Sequence, residues 1–262
     1  MDDVILTLQA DKVRENMRNN HRDDGRAIDQ FRPLSIVRNI SKNAESSVAV
    51  KLGKTEVYCG IKILPGDAYP DSPGQGSISV GVEMGQMASP EFESGPPSPL
   101  SIEMSRVVDR GIRESHCVDF SSLAIPGTEK VWIVWIDLYP VNDDGNLFDA
   151  CGLAALAALA DAKFPKFEDN AIVPKEFDGQ IELANKPILV TAYKIGNRMV
   201  LDPTRGEEKA ATARFSVTCT EDGHYSAFQK GLGDSLTGAE VEQSLDWAME
   251  KSKELRRQLF EG

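Results

Sequence analysis

The chain opens with a weak helical pattern: Ile5, Leu8, Val13 and Met17 recur among charges between Val4 and Met17, a docking arm more than a core element. Strand alternation follows. Ser47 to Leu52 and Glu56 to Ile61 flank Gly53-Lys54, which predicts a two-residue hairpin, and Ser77 to Met84 predicts a further strand. A loop rich in turn formers runs from Ser89-Pro90 to Ser98-Pro99. Ser98 then caps a helix with Pro99 as its first residue, and Leu100, Met104, Val107, Val108 and Ile112 mark its buried face. Val131 to Tyr139 is an almost unbroken apolar run, the signature of a central strand covered on both faces. Leu147 to Ala162 is Ala- and Leu-rich on all sides, which predicts a buried helix packed closely on that sheet.

Lys163 to Asn185, with Pro165, Pro174 and Gly179, reads as a connection. Beyond it the grammar repeats. Pro187 to Ile195 and Met199 to Leu201 flank a Gly196-Asn197 turn, and Arg214 to Thr218 and Tyr225 to Gln229 add two strands. Thr237 and Glu240 form a capping box for a last helix with Val241, Leu245, Ala248, Leu255 and Leu259 inward. The expectation is an α+β protein with an internal structural repeat. Residues 1–30 form an N-terminal helical arm, 31–165 a first half and 186–262 a second.

Charge changes the picture next. The 29 basic and 41 acidic residues leave a formal charge of −12, so the average surface repels a phosphate backbone. General nucleic-acid binding is excluded. Cys59, Cys117, Cys151 and Cys219 are far apart, with no metal-ligand spacing, which fits free thiols in a reducing cytoplasm. The N-terminus carries no signal-like segment, and no apolar run reaches the ~20 residues that cross a bilayer, so the expectation is a soluble intracellular protein.

Most candidate chemistry is weak. Leu52-Gly53-Lys54-Thr55 lacks the first glycine of a phosphate loop, where Val48 stands, and Gly231-Leu232-Gly233 lacks the third glycine of a dinucleotide site. His21, His116 and His224 are scattered, and Cys117 beside His116 reads as an inert thiol. Asp143-Asp144 and Glu207-Glu208 could bind a cation, but acidic pairs in turns read rather as solvated faces. One constellation is stronger. Arg106, Arg110 and Arg113 lie within about 60° of one another around a helix and could contact phosphates. The alternative is neutralisation by Glu103, Asp109 or Glu114 in surface pairs.

Several motifs together resemble a known family. Arg22-Asp23-Asp24-Gly25-Arg26 with Arg32-Pro33 resembles the entry segment of the ribonuclease PH family of phosphorolytic exoribonucleases. Phe92 to Pro97, Arg106 to Arg110, Val131 to Trp135 and Leu147 to Cys151 resemble more specifically the non-catalytic ribonuclease-PH-like subunit of the archaeal exosome. The resemblance implies a ribonuclease-PH-like fold with two halves of the ribosomal-protein-S5-domain-2-like type. It also implies a ring of three heterodimers with a catalytic paralogue, RNA-binding cap subunits, single-stranded RNA as ligand, a cytoplasmic location, and no cofactor, metal or membrane. Active members hold phosphate with a Gly-Gly-Thr/Ser-Arg stretch, against which Gly145, Asn146, Leu147 and Phe148 stand here. Their K-x-D-G acid corresponds to Gly196, with Asp202 retained further on. The resemblance therefore implies a subunit that is not catalytic, with Arg106 and Arg110 as its RNA-binding residues and Arg113 on the same stripe. An active phosphorolytic exoribonuclease using Asp202, or a small-molecule enzyme on the same fold, are the other readings.

Overall fold

The computed structural model describes residues 2–19 and 21–261, with side chains described from Ala10 onward. α1 (Asp2–Arg18) precedes the first half, which comprises β1 (Leu34–Arg38), β2 (Ser46–Leu52), β3 (Thr55–Asp67), β4 (Ser77–Val82), α2 (Pro99–Glu114), β5 (Lys130–Asn142) and α3 (Leu147–Asp161). A hairpin of β6 (Lys163–Glu168) and β7 (Ala171–Gln180) follows. The second half comprises β8 (Ile188–Ile195), β9 (Arg198–Leu201), α4 (Arg205–Ala210), β10 (Ala213–Cys219), β11 (Tyr225–Gly231) and α5 (Gly238–Glu261). Two sheets result, ordered β1-β2-β3-β5-β4 and β11-β10-β8-β9. Only β4 and β5 run parallel among these pairs, and α2 supplies the crossover that parallel strands require. The architecture is α+β.

Helix α3 is the seam between the halves. Ala150, Ala154, Ala155, Ala157 and Ala158 are fully buried, and these small side chains let the helix lie against β2 and β3 on one side and β8 on the other. Gly152 marks the closest approach, since a Cβ there would sit 3.0 Å from Leu189 Cβ on β8. Both expected helix starts are present. Ser98 accepts from the Ser101 amide, and Thr237 and Glu240 exchange hydrogen bonds at the start of α5.

Four expectations need correction. Residues 163–185 are not a plain connection: Asp169 and Asn170 both have positive φ and turn β6 into β7. Pro165 and Pro174 fit because a two-stranded sheet has only edge strands, where a missing N–H is tolerated. Second, β5 is covered on one face only: Val134, Ile136 and Leu138 are fully buried, while Trp135 and Tyr139 point outward and are 42% and 41% exposed. Third, Leu100 is exposed, and Ser101 takes the inner position with its hydroxyl on the Val82 carbonyl at 2.8 Å. Fourth, α1 does build core. It packs Ala10, Val13 and Met17 on Ile195, Val200 and Ala210 of the second half; the side chains of Ile5 and Leu8 lie outside the described residues.

Candidate functional site

A helix start exposes N–H groups and the positive end of the helix dipole, a natural seat for phosphate. At the start of α3 the chain's own carboxylates take the two amides that lead into the helix. The Asn146 amide donates to Glu208 Oε2 at 3.0 Å, and the Gly145 amide to Asp143 Oδ1 at 3.1 Å. Asn146 Nδ2 donates to Asp149 Oδ2 at 2.9 Å and Asp202 Oδ1 at 3.0 Å, and the Thr191 amide reaches Asp149 at 3.2 Å. Space is closed as well. Gly145 has φ +88°, and a Cβ there would lie 2.5 Å from the Pro203 carbonyl. Phe148 is buried with the Arg214 guanidinium 3.7 Å over its ring, and Arg214 is paired with Glu103 at 2.5 Å.

The crowding shows in the acidities. Burial pushes the Asp149 carboxyl up to about 7, and its Oδ1 has no hydrogen-bond partner among the described residues. Burial also raises Glu208, with the Asp143 charge adding to it. Burial likewise raises Asp143, against the opposing hydrogen bond from Gly145. The three carboxyl groups crowd one another, and a further anion there would add to that crowding.

Directly behind this start lies a buried charge cluster that joins the N-terminal motif to the second half. Arg22 grips Glu207 through Nε at 2.9 Å and Nη2 at 2.6 Å. Arg32 reaches Asp202 through Nη2 at 2.7 Å and Nε at 2.8 Å, and donates to the Gly145 carbonyl at 3.0 Å. Arg26 adds a bond to Asp202 at 3.0 Å. Both Asp202 oxygens are therefore occupied, and the residue is held with φ +46°. The expectation of solvated acids at Glu207-Glu208 fails: Glu207 is 5% exposed in the grip of Arg22, and Glu208 takes the Tyr193 hydroxyl at 2.9 Å as well as the Asn146 amide. Sequence reasoning missed this cluster because Arg22 and Glu207 lie 185 residues apart, and no local pattern links them.

Gly196 lies apart from this cluster. It sits in the β8–β9 turn at φ +63°, where a Cβ would face the Arg14 carbonyl of α1. Asp202 lies beyond the other end of β9, a strand that spans roughly 13 Å. Gly196 is thus not brought to the start of α3. The carboxylates there come from Asp143, Asp149, Asp202 and Glu208.

Helix α2 presents the contrasting surface. Arg113 is drawn inward: it donates to the Ile78 carbonyl at 3.0 Å and to Asp109 at 2.9 Å, and lies over Phe120. Arg106 remains open, with a side chain 72% exposed and only a 3.6 Å approach to Asp109. Arg110 is exposed and reaches the Phe228 carbonyl at 3.1 Å. Glu103 is committed to Arg214, so Asp109 is the only one of the three expected neutralising acids that pairs with the stripe among the described residues. Arg106 borders a cleft of about 310 Å³ that Tyr69, Ser79 and Trp135 also line.

Among the described residues no cluster of His, Cys, Asp or Glu has a metal-holding arrangement, and no helix is long and apolar enough to cross a membrane. The four cysteines are buried and unpaired, with the Cys117 thiol pushed by burial up to about 12. Gly53 sits in the β2–β3 hairpin turn under the Arg32 side chain, not in a phosphate loop.

This two-sheet arrangement with a shared buried helix is the ribonuclease-PH-like class of fold. A family model described as "3′ exoribonuclease family, domain 1" matches residues 30–165, and its "domain 2" counterpart matches residues 185–251. The exosome complex component Rrp42 of Archaeoglobus fulgidus is 40% identical, with 99% of each chain covered. That of Methanosarcina acetivorans is 41% identical over 100% of this chain and 97% of its own. Among solved structures, the Archaeoglobus fulgidus exosome with RNA bound to the active site superposes with a TM-score of 0.89 at 40% identity, covering 97% of this chain and 99% of that one. Rice (Oryza sativa) Rrp46, at 17% identity, TM-score 0.71 and coverage of 91% and 97%, shares the fold. The chain belongs to the 3′ exoribonuclease family.

Proposed function

We propose that this chain is a ring subunit of an archaeal-type exosome that performs no phosphorolysis itself and holds RNA for a catalytic paralogue. The observation that carries the reading is the start of α3, where Glu208 and Asp143 take the Asn146 and Gly145 amides leading into the helix and Phe148 with Arg214 fills the adjoining space. Phosphorolysis requires an inorganic phosphate aligned with the scissile phosphodiester, and that positioning supplies a large share of any rate. Here the chain's own acceptors and side chains already crowd that position. Asp202, the acid an active reading would use, has both oxygens committed to Arg26, Arg32 and Asn146.

The name shared by relatives about 40% identical along the whole chain supports membership of an exosome. In that setting three copies alternate with three copies of the paralogue, RNA-binding cap subunits sit on the ring, and the assembly works in the cytoplasm. Arg106 and Arg110 supply the RNA contact. They are guanidinium groups open to solvent on a chain of net charge −12, so RNA is confined to a local stripe. The test is a reconstituted ring carrying Arg106→Glu with Arg110→Glu. RNA affinity should fall roughly tenfold or more at low salt while the ring stays intact. Undiminished affinity would contradict the assignment.

A further inference from the structure

The two exposed arginines of the α2 stripe are held differently. Arg106 makes no hydrogen bond among the described residues. Arg110 is anchored through one nitrogen: its Nη1 donates to the Phe228 carbonyl at 3.1 Å and to Gln229 Oε1 at 3.3 Å, both on β11. Those two bonds use both Nη1 protons. Nε and Nη2 make no hydrogen bond among the described residues, so one whole edge of the guanidinium fork is left for a phosphate.

The chemistry of the anchor matters as much as its presence. Arg113 is fixed by the Asp109 carboxylate, which offsets its charge. Arg110 is fixed by a carbonyl and an amide oxygen, neutral acceptors that hold the guanidinium and leave its charge intact. Glu103 stands on the other side of Gln229, accepting from Nε2 at 3.4 Å. The half-buried Gln229 side chain is thus a spacer that donates to the acid and accepts from the arginine.

Glu103 is itself tied to Arg214 at 2.5 Å, and the Arg214 guanidinium lies over Phe148. Gly231 makes room for that arrangement, since a Cβ there would overlap the Arg214 guanidinium. A polar path therefore runs from the buried start of α3 to the surface, and Gln229 is its last link before Arg110. A long side chain that must be ordered on binding loses rotamer freedom, and one held beforehand loses less.

We propose that Gln229 is a positioning residue for RNA, holding the Arg110 guanidinium apart from Glu103 with its free edge ready for a phosphate of the strand. This role rests on the proposed function, in which Arg110 meets RNA. The test is a double-mutant cycle in the reconstituted ring. Binding is read as anisotropy of a labelled single-stranded RNA in phosphate-free buffer, where phosphorolysis cannot consume the strand. Gln229→Leu should weaken binding about threefold to tenfold, because the released Arg110 must be ordered at each encounter. In the Arg110→Ala background the same substitution should change affinity by less than about twofold. If the leucine variant does not assemble, Gln229→Asn, shorter by one methylene and still polar, takes its place with the same expected pattern. An equal loss in both backgrounds, or no loss in either, would overturn the role of Gln229 and leave the proposed function standing. Unchanged affinity for Arg110→Ala alone would overturn the assignment of Arg110 to RNA, and this role with it.

Discussion

The start of α3 and the exposed stripe of α2 are built from the same chemistry, arginines facing carboxylates, with opposite outcomes. Behind α3, Arg22 and Arg32 are 1% and 7% exposed and every guanidinium is matched by Glu207 or Asp202. On α2, Asp109 satisfies Arg113 and leaves Arg106 and Arg110 open. A buried guanidinium is costly unless fully paired, so burial commits it to holding the fold. An exposed one is nearly neutral for stability and remains free for a ligand. The segment resembling the family's entry motif is therefore a clasp between the N-terminal segment and the second half, and the solvent-exposed arginines lie elsewhere.

The contrast can be broken most severely at Asp202. Asp202→Ala leaves Arg26 and Arg32 facing each other without their acid, and should destabilise the chain by about 3–5 kcal/mol in urea unfolding. A loss under about 1 kcal/mol would mean the clasp is not structural.

Asp149 gives a pH-dependent version of the same comparison. Its folded pKa, about 7, lies above the ordinary value of 3.8, so the folded chain binds more protons between those limits. Its contribution is most favourable below the unfolded value and is lost as pH rises towards 7. Asp149→Asn should therefore gain stability relative to wild type between pH 4 and pH 7, as read by thermal midpoints across that range. A constant difference would show that Asp149 is ionised in the fold throughout.

The smallest expected effect sharpens the other side. Arg106→Ala should leave stability within about 0.5 kcal/mol of wild type, since the side chain is 72% exposed and holds only a long contact to Asp109. Replacing both Arg106 and Arg110 by Ala in the ring should lower the slope of log affinity against log salt by about 1.4, two phosphate contacts' worth for a single strand. An unchanged slope would place the RNA contacts on other residues.

Local chemistry was legible in the sequence. Gly53-Lys54 marks the β2–β3 hairpin, Ser98-Pro99 opens α2, Thr237 and Glu240 open α5, and the Ala-rich run is the buried seam helix. Each of these signals spans a few residues. What was hidden depended on distant partners. The grip of Arg22 on Glu207 spans 185 residues, and without it Glu207-Glu208 reads as a solvated turn. The packing of the β8–β9 turn, with Gly196, beside Arg14 of α1 likewise joins residues far apart in sequence. The apolar run of β5 marks a strand largely apolar on both faces without showing that one face lacks a cover within the chain.

The central claim is that this chain's phosphate seat is closed and its work is done on RNA for a neighbour. The direct measurement is phosphate-dependent release of nucleoside diphosphates from a 3′-ended RNA by the purified chain, by the paralogue, and by the two combined. The chain alone should release none above a no-protein control, and adding it to the paralogue should raise the paralogue's turnover. Phosphate-dependent shortening of RNA by the chain alone would contradict the account.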